Sequence, residues 1–211
     1  MAIKECGSHH SHSSGCRKFL PVIILFVILF VIILAVFLVW VVLQPSKPRF
    51  HLQEAIVSNF NISGNPLNIL NSNFQVSISS ENPNDKIGIY YDRLNVYATY
   101  HNQQITWQTA ISPTYQGHKE TKVWSPIIGG NSVPVSSVIG LPVVEDQPGM
   151  IELKIYLFGQ IRWKVGSMIT GEYHLHVNCP ASINVGNSAA GVMVGKNAMK
   201  YKIAQPCSVD V

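Results

Sequence analysis

Charge is scarce in this chain: only 12% of its 211 residues are Asp, Glu, Lys or Arg. The formal net charge is +4, made of +2 in residues 1–18 and +2 spread over residues 44–211. Nucleic-acid binding needs a dense basic face, which so thin and even a distribution cannot supply, so nucleic acid is excluded as a partner. Cysteine is also sparse, with four residues split between Cys6 and Cys16 near the start and Cys179 and Cys207 near the end. That excludes a disulfide-dense mini-domain. No Gly-x-Ser-x-Gly nucleophile elbow and no Gly-x-Gly-x-x-Gly loop is present, so neither common hydrolase nor dinucleotide chemistry has its signature. Gly191 to Lys196 approaches a phosphate-binding loop, but its glycines are one residue too close and Asn197 stands where a Mg²⁺-holding hydroxyl is needed.

The one long apolar stretch is Val22 to Leu43. Its 22 residues contain no charge, amide or hydroxyl, and Phe19 and Leu20 extend it upstream. At about 1.5 Å of helical rise per residue it reaches roughly 33 Å, enough to cross a hydrocarbon core of about 30 Å. A cleaved signal peptide would have a shorter apolar core and a small-residue cleavage site, and Gln44-Pro45-Ser46-Lys47 offers none. The stretch also lacks the small-residue stripe that packs membrane helices together, so it reads as a lipid-facing anchor. Trp40 suits the headgroup boundary at one end.

This places a short tail at residues 1–18, a transmembrane helix at 19–43 and a Pro-rich spacer at 44–49. The tail is Ser-, His- and Gly-rich and is expected to be disordered. Arg17 and Lys18 abut the helix, and a long following domain translocates largely regardless of its charge, which puts the N-terminus in the cytosol and residues 44–211 outside or in the lumen. Cys16, and with it Cys6, is a palmitoylation candidate by proximity to the membrane. His9, His10 and His12 carry metal-binding donors, yet no closed-site spacing.

After Leu43 the hydrophobic period is two. Phe74, Val76 and Ile78 alternate with polar neighbours, as do Ile151 to Leu157, Ile161 to Val165, and Tyr173, Leu175 and Val177. Turn-forming clusters separate these runs, and no helical period interrupts them. An all-β antiparallel sandwich over residues 50–183 is predicted, with 184–211 as a C-terminal tail. In Asn82 to Asp92 the Asn-Pro-Asn turn of Asn82, Pro83 and Asn84 launches a strand with Ile87, Ile89 and Tyr91 on one face. Gly88, opposite them, is expected to admit another backbone. Apolar positions then switch to even numbers (Leu94, Val96, Ala98), which predicts a bulge near Asp92-Arg93.

The anchor, the Gln-Pro-x-x-Pro-x-Phe spacer, the NPNDKIGIYYD stretch and the later FGQIRWKVG (Phe158 to Gly166) together resemble the plant harpin-induced-like proteins. These relatives of the non-race-specific disease-resistance protein carry a late-embryogenesis-abundant group 2 (WHy) domain. The resemblance implies a plasma-membrane protein, with endoplasmic reticulum and plasmodesmata as other membranes open to it. It also implies an extracellular sandwich resembling fibronectin type III, a role in pathogen and stress responses, and no catalytic residue. Asn82, Pro83, Asn84, Gly88, Tyr91 and Asp92 are then motif residues with structural roles, and no cofactor is implied.

Weighed for chemistry, His174, His176 and Cys179 offer metal donors, but on the wet face of a strand exposed histidines are the simpler reading. Glu145-Asp146 reads as a solvated acidic pair. Asn61, in the chain's sole Asn-x-Ser/Thr sequon, is the glycosylation candidate, and Cys179–Cys207 the candidate disulfide on the oxidising side. The expected function is contact: a tethered sandwich meeting a membrane protein, a wall polymer or lipid through aromatics among Tyr90, Tyr97, Tyr100, Trp107 and Tyr115. Homo-oligomer formation is compatible with such a surface. A client-shielding stress protectant and a wall-directed metal-dependent hydrolase are the alternatives.

Overall fold

The computed structural model describes residues 16–42, 45–63, 69–135, 149–185, 192–193 and 198–211. Cys6, the three tail histidines, Glu145-Asp146, Gly191 and Lys196 lie outside the described residues, as does the side chain of Cys16. The chain forms two units, residues 1–44 and Pro45–Val211.

The first unit is helix α1, Cys16–Val42. It begins inside the stretch assigned to the tail and runs through Pro21. Within it, Pro21–Leu38 has a mean hydropathy of 3.5 and no buried residue, so it is long and apolar enough to cross a membrane.

The second unit is built of strands. In chain order they are β1 (Arg49–Ser63), β2 (Ile69–Glu81), β3 (Ile87–Tyr100), β4 (Gln103–Gln104), β5 (Thr109–Ile111), β6 (Thr114–Gln116) and β7 (Thr121–Trp124). There follow β8 (Ile127–Pro134), β9 (Gly149–Val165), β10 (Met168–Ile169), β11 (Tyr173–Val185), β12 (Val192–Met193), β13 (Met199–Pro206) and β14 (Ser208–Asp210). All described pairings are antiparallel, and they form two sheets. The first runs β12-β13-β1-β2-β7 with β8 also on β2; the second runs β14-β11-β9-β3 with the short β4, β5 and β6 along the far side of β3. The all-β sandwich following one apolar helix is the architecture expected from the period-two pattern.

The inward residues of both sheets make one core, in which Leu52, Phe74, Ile78, Ile89, Val96, Ile155, Leu157 and Leu175 are almost fully buried. Tyr173, at the start of its strand, departs from the alternation and is exposed. Phe50, Tyr91 and Trp124 pack ring on ring, with Tyr91 edge-on to both others.

The segment expected to be a C-terminal tail is part of the sandwich. β13 lies along β1 from His51–Pro206 to Val57–Met199, so it covers what would otherwise be an open strand edge. The chain then crosses to the other sheet, where β14 pairs with β11. Cys207 sits at that crossing, donates its N–H to the carbonyl of Phe50 and is disulfide-bonded to Cys179 of β11. Five residues of alternation (Met199, Tyr201 and Ile203 against Lys200 and Lys202) were the signal in the sequence, and it is a short one.

Candidate functional site

The two stretches that carry the family resemblance are hydrogen-bonded neighbours. β3 and β9 pair from Ile87–Val165 to Tyr100–Leu153, with one slip between Tyr91 and Arg93. That slip is the bulge predicted from the phase change, and it turns Ile89 and Tyr91 on one side, and Leu94 and Val96 on the other, to the same core. Its counterpart is Gly159: a Cβ there would overlap the carbonyl of Arg93, so a side chain is excluded by backbone. Gly88 is different from what was expected. The neighbour its missing Cβ admits is the ring of Tyr115, whose carbons would lie 2.8 Å from that Cβ, and not another backbone.

Asn82 is fully buried and uses its whole amide. Its Nδ2 donates to the carbonyls of Ile87 (2.7 Å) and Gly117 (2.8 Å), and its Oδ1 accepts from the Asn84 backbone N–H (3.1 Å) and Nδ2 (2.9 Å). Asn84 in turn binds the spacer as a strand would: Ser46 N–H donates to its Oδ1 and its Nδ2 donates to Ser46 O, both at 2.8 Å. Pro83 accepts from Lys119 Nζ through its carbonyl. Tyr91 shares hydrogen bonds with Ser80 (2.9 Å) and Gln116 (2.8 Å), and Gln116 Nε2 donates to the carbonyls of Ser80 and Glu120. Burial pushes the Tyr91 phenol well above its ordinary pKa, with the Ser80 hydrogen bond acting the other way. These buried polar groups are satisfied by protein and hold loops together.

Asp92, on the outer side of the bulge, takes a two-pronged bond from Arg162 at 2.7 and 2.8 Å. That hydrogen bonding, against a smaller desolvation cost, lowers the Asp92 carboxyl below its usual range. Arg162 also lies over the Tyr90 ring, and Lys164 over Tyr115.

Beyond the bulge the outer face of this sheet turns aromatic. Tyr97 and Tyr156 lie nearly parallel (17°) with centroids 5.4 Å apart, and Phe158 stands edge-on to Tyr97 at 5.8 Å. The register continues across two more strands, with Phe158 beside His176 and Asp210, and Tyr156 beside Asn178 and Ser208. A groove of about 380 Å³ lies among these residues. Burial raises the Tyr97 phenol pKa, with the neighbouring Tyr156 adding to it. The Asn178 Oδ1 is buried without a hydrogen-bond partner, the one such side-chain atom among the described residues.

Of the aromatics singled out in the sequence, Tyr90 and Tyr97 are half-buried on this face, Tyr115 is exposed beside them, Trp107 is exposed elsewhere and Tyr100 belongs to the core. Tyr156 and Phe158 were missed as contact residues, although their even positions in β9, among Glu152, Lys154 and Arg162, already put aromatics where polar side chains are usual. His174 and His176 are exposed, while Cys179 is fully buried in its disulfide. The three therefore do not form a donor set, and among the described residues no three His, Cys, Asp or Glu side chains converge. Asn61 is exposed near the end of β1, roughly 40 Å along the strand from Arg49 at about 3.3 Å per residue.

Among the described residues, one apolar helix precedes a two-sheet sandwich whose Asn-Pro-Asn turn grips the spacer, and the sequence of that sandwich gives its class. The family model described as Late embryogenesis abundant protein matches residues 77–180. NDR1/HIN1-like protein 1 of Arabidopsis thaliana is 55% identical over 99% of this chain and 100% of its own length. NDR1/HIN1-like protein 12 of the same plant is 53% identical over the whole of both chains. The solution structure of a putative late embryogenesis abundant protein aligns with a TM-score of 0.33 at 14% identity, covering 85% of this chain and 94% of that one. The chain belongs to the NDR1/HIN1-like family of plant stress- and defence-related proteins.

Proposed function

We propose that this protein is a non-catalytic contact module of plant defence and stress signalling, anchored by α1 in the plasma membrane with its N-terminus cytosolic and its sandwich outside the cell. The observation that carries the reading is the outer face of β3 and β9, where Tyr90, Tyr97, Tyr156 and Phe158 occupy half-buried positions that a solvated sheet face would give to polar residues. The buried polar side chains of the Asn82 and Tyr91 networks are committed to holding the fold. A tether raises the effective concentration of the sandwich near other membrane-bound or wall-bound molecules, so weak contacts on such a face suffice.

Proximity labelling from the sandwich in intact plant cells, with protease shaving of the same cells, tests side and partner together. The expected result is loss of the sandwich to external protease and labelled neighbours that disappear when Tyr97 and Tyr156 are both alanine. Protection of the sandwich with clipping of the extreme N-terminus would refute the orientation. Asn61 gives an independent check: an endoglycosidase-sensitive mobility shift abolished by Asn61→Gln requires a lumenal passage. Association that ignores the aromatic face, with protection of unrelated client proteins from drying, would favour a shielding role instead.

A further inference from the structure

Building on the contact reading, we infer that the groove across β3, β9, β11 and β14 is a sugar-binding site, and that its ligand class is an uncharged β-linked glucan. The register sets two rows of side chains side by side on one face, spanning four strands, or about 14 Å at roughly 4.8 Å per strand. Tyr97, Tyr156 and Phe158 make the half toward β3; His176, Asn178 and Asp210 make the half toward β14. An all-equatorial pyranose has the complementary division, with axial C–H bonds on its faces and hydroxyls around its rim. Its face rests on an aromatic ring while its rim reaches the polar half.

The polar half is open to such a ligand. Asn178 lines that half with its Oδ1 covered, so the groups a ligand hydroxyl reaches are His176 and Asp210. The Asp210 carboxylate is 81% exposed and its contact with Lys47, at 3.6 Å, is a loose surface pair that leaves lone pairs for hydroxyls. His176 is exposed directly beside Asp210. Other occupants fit less well. An acyl chain would press hydrocarbon against the exposed His176 and the Asp210 carboxylate and strip water from them. A peptide strand added to a sheet pairs with its edge, whereas this groove lies on a face. A polyanion would meet the Asp210 carboxylate.

The test uses the full-length protein in lipid nanodiscs, titrated calorimetrically with cellohexaose, laminarihexaose and the α-linked maltohexaose. At least one β-glucan is expected to bind, and maltohexaose, whose α-linked chain coils instead of lying extended along the groove, to bind more weakly. Tyr156→Ala is expected to weaken the β-glucan by roughly tenfold, as loss of a central aromatic contact does. Tyr156→Phe, which keeps the ring, should retain affinity, which separates ring contact from damage to the fold. Asp210→Ala should weaken binding, and Trp107→Ala, away from the groove, should not. Absence of binding to both β-glucans, or binding indifferent to Tyr156→Ala, overturns the assignment. If partner labelling in cells still depends on Tyr97 and Tyr156 while no glucan binds, the sugar inference falls and the contact module stands. If both fail, both fall.

Discussion

Replacing Asn82 by alanine removes four hydrogen bonds from a side chain with no exposed surface. The loss is uneven, because some partners keep a second contact. Asn84 Nδ2 still donates to Ser46 O, so it is only partly orphaned. The Asn84 backbone N–H and the carbonyls of Ile87 and Gly117 lose the side-chain contact. An unsatisfied buried group costs about 1–3 kcal/mol, and three such groups with partial relaxation give an expected loss of about 3–5 kcal/mol. For a domain of this size that is a large part of a total near 5–15 kcal/mol, and it lowers the melting temperature by roughly 6–20 °C. Pro45–Val211 is a compact unit with its own core, so the measurement can be made by calorimetry on that unit alone. Asn82→Asp sharpens the test. It keeps the acceptor but turns a carboxylate oxygen toward two carbonyls, so it should be at least as damaging at neutral pH. The aspartate would then have a raised pKa in the fold, and the variant should recover part of its deficit as pH falls and protonation restores a donor. Asp85→Ala, at an exposed position in the same turn, should stay within about 0.5 kcal/mol. A melting temperature for Asn82→Ala within about 2 °C of the parent would refute the claim that this turn holds the domain together.

Gly159→Ala should lower the urea midpoint by an amount equivalent to about 2–3 kcal/mol or more, since its Cβ meets the Arg93 backbone, while Gly171→Ala, which meets nothing within 4 Å, should be nearly silent. Cys207→Ser opens a link between residues 28 apart, for which chain entropy gives about 3–4 kcal/mol; the parent under reductant should match the variant in denaturant unfolding. Asp92 has a folded pKa held below its ordinary 3.8, chiefly by the Arg162 hydrogen bonds. Its stabilisation is therefore full above that value and is lost as pH falls through the lower folded pKa. The melting-temperature gap between the parent and Asp92→Asn should be constant from neutral pH to about 5 and close in more acid solution.

Much of the fold was legible because strand alternation and turn chemistry are local. The switch from odd to even apolar positions after Tyr91 called for a bulge, and β3 has one there. What the pattern left open were the partners. Nothing in residues 82–92 tells that Asn84 reaches back to Ser46, or that Gly88 lies under Tyr115, because those neighbours arrive from segments far along the chain. The C-terminal segment was misjudged for the same reason. Its value as a strand depends on an uncovered edge of β1 and on Cys179 waiting at the crossing, neither of which is local. The candidate site was half visible: aromatics in wet positions could be read from alternation, but their assembly with His176, Asn178 and Asp210 could not.

By itself, then, the amino-acid order determined an apolar helix long enough for a bilayer and a period-two domain, since both follow from which residues water rejects and at what spacing. Tertiary structure alone decided which strands adjoin, and with them the Asp92–Arg162 pair, the Gly159 counterpart of the bulge and the grouping of three aromatics beside an unpaired amide oxygen. The reason is register: hydrogen bonding between β3 and β9 joins residues 53 to 78 positions apart, from Tyr100–Leu153 to Ile87–Val165, and a shift of one residue would turn every one of those side chains to the opposite face.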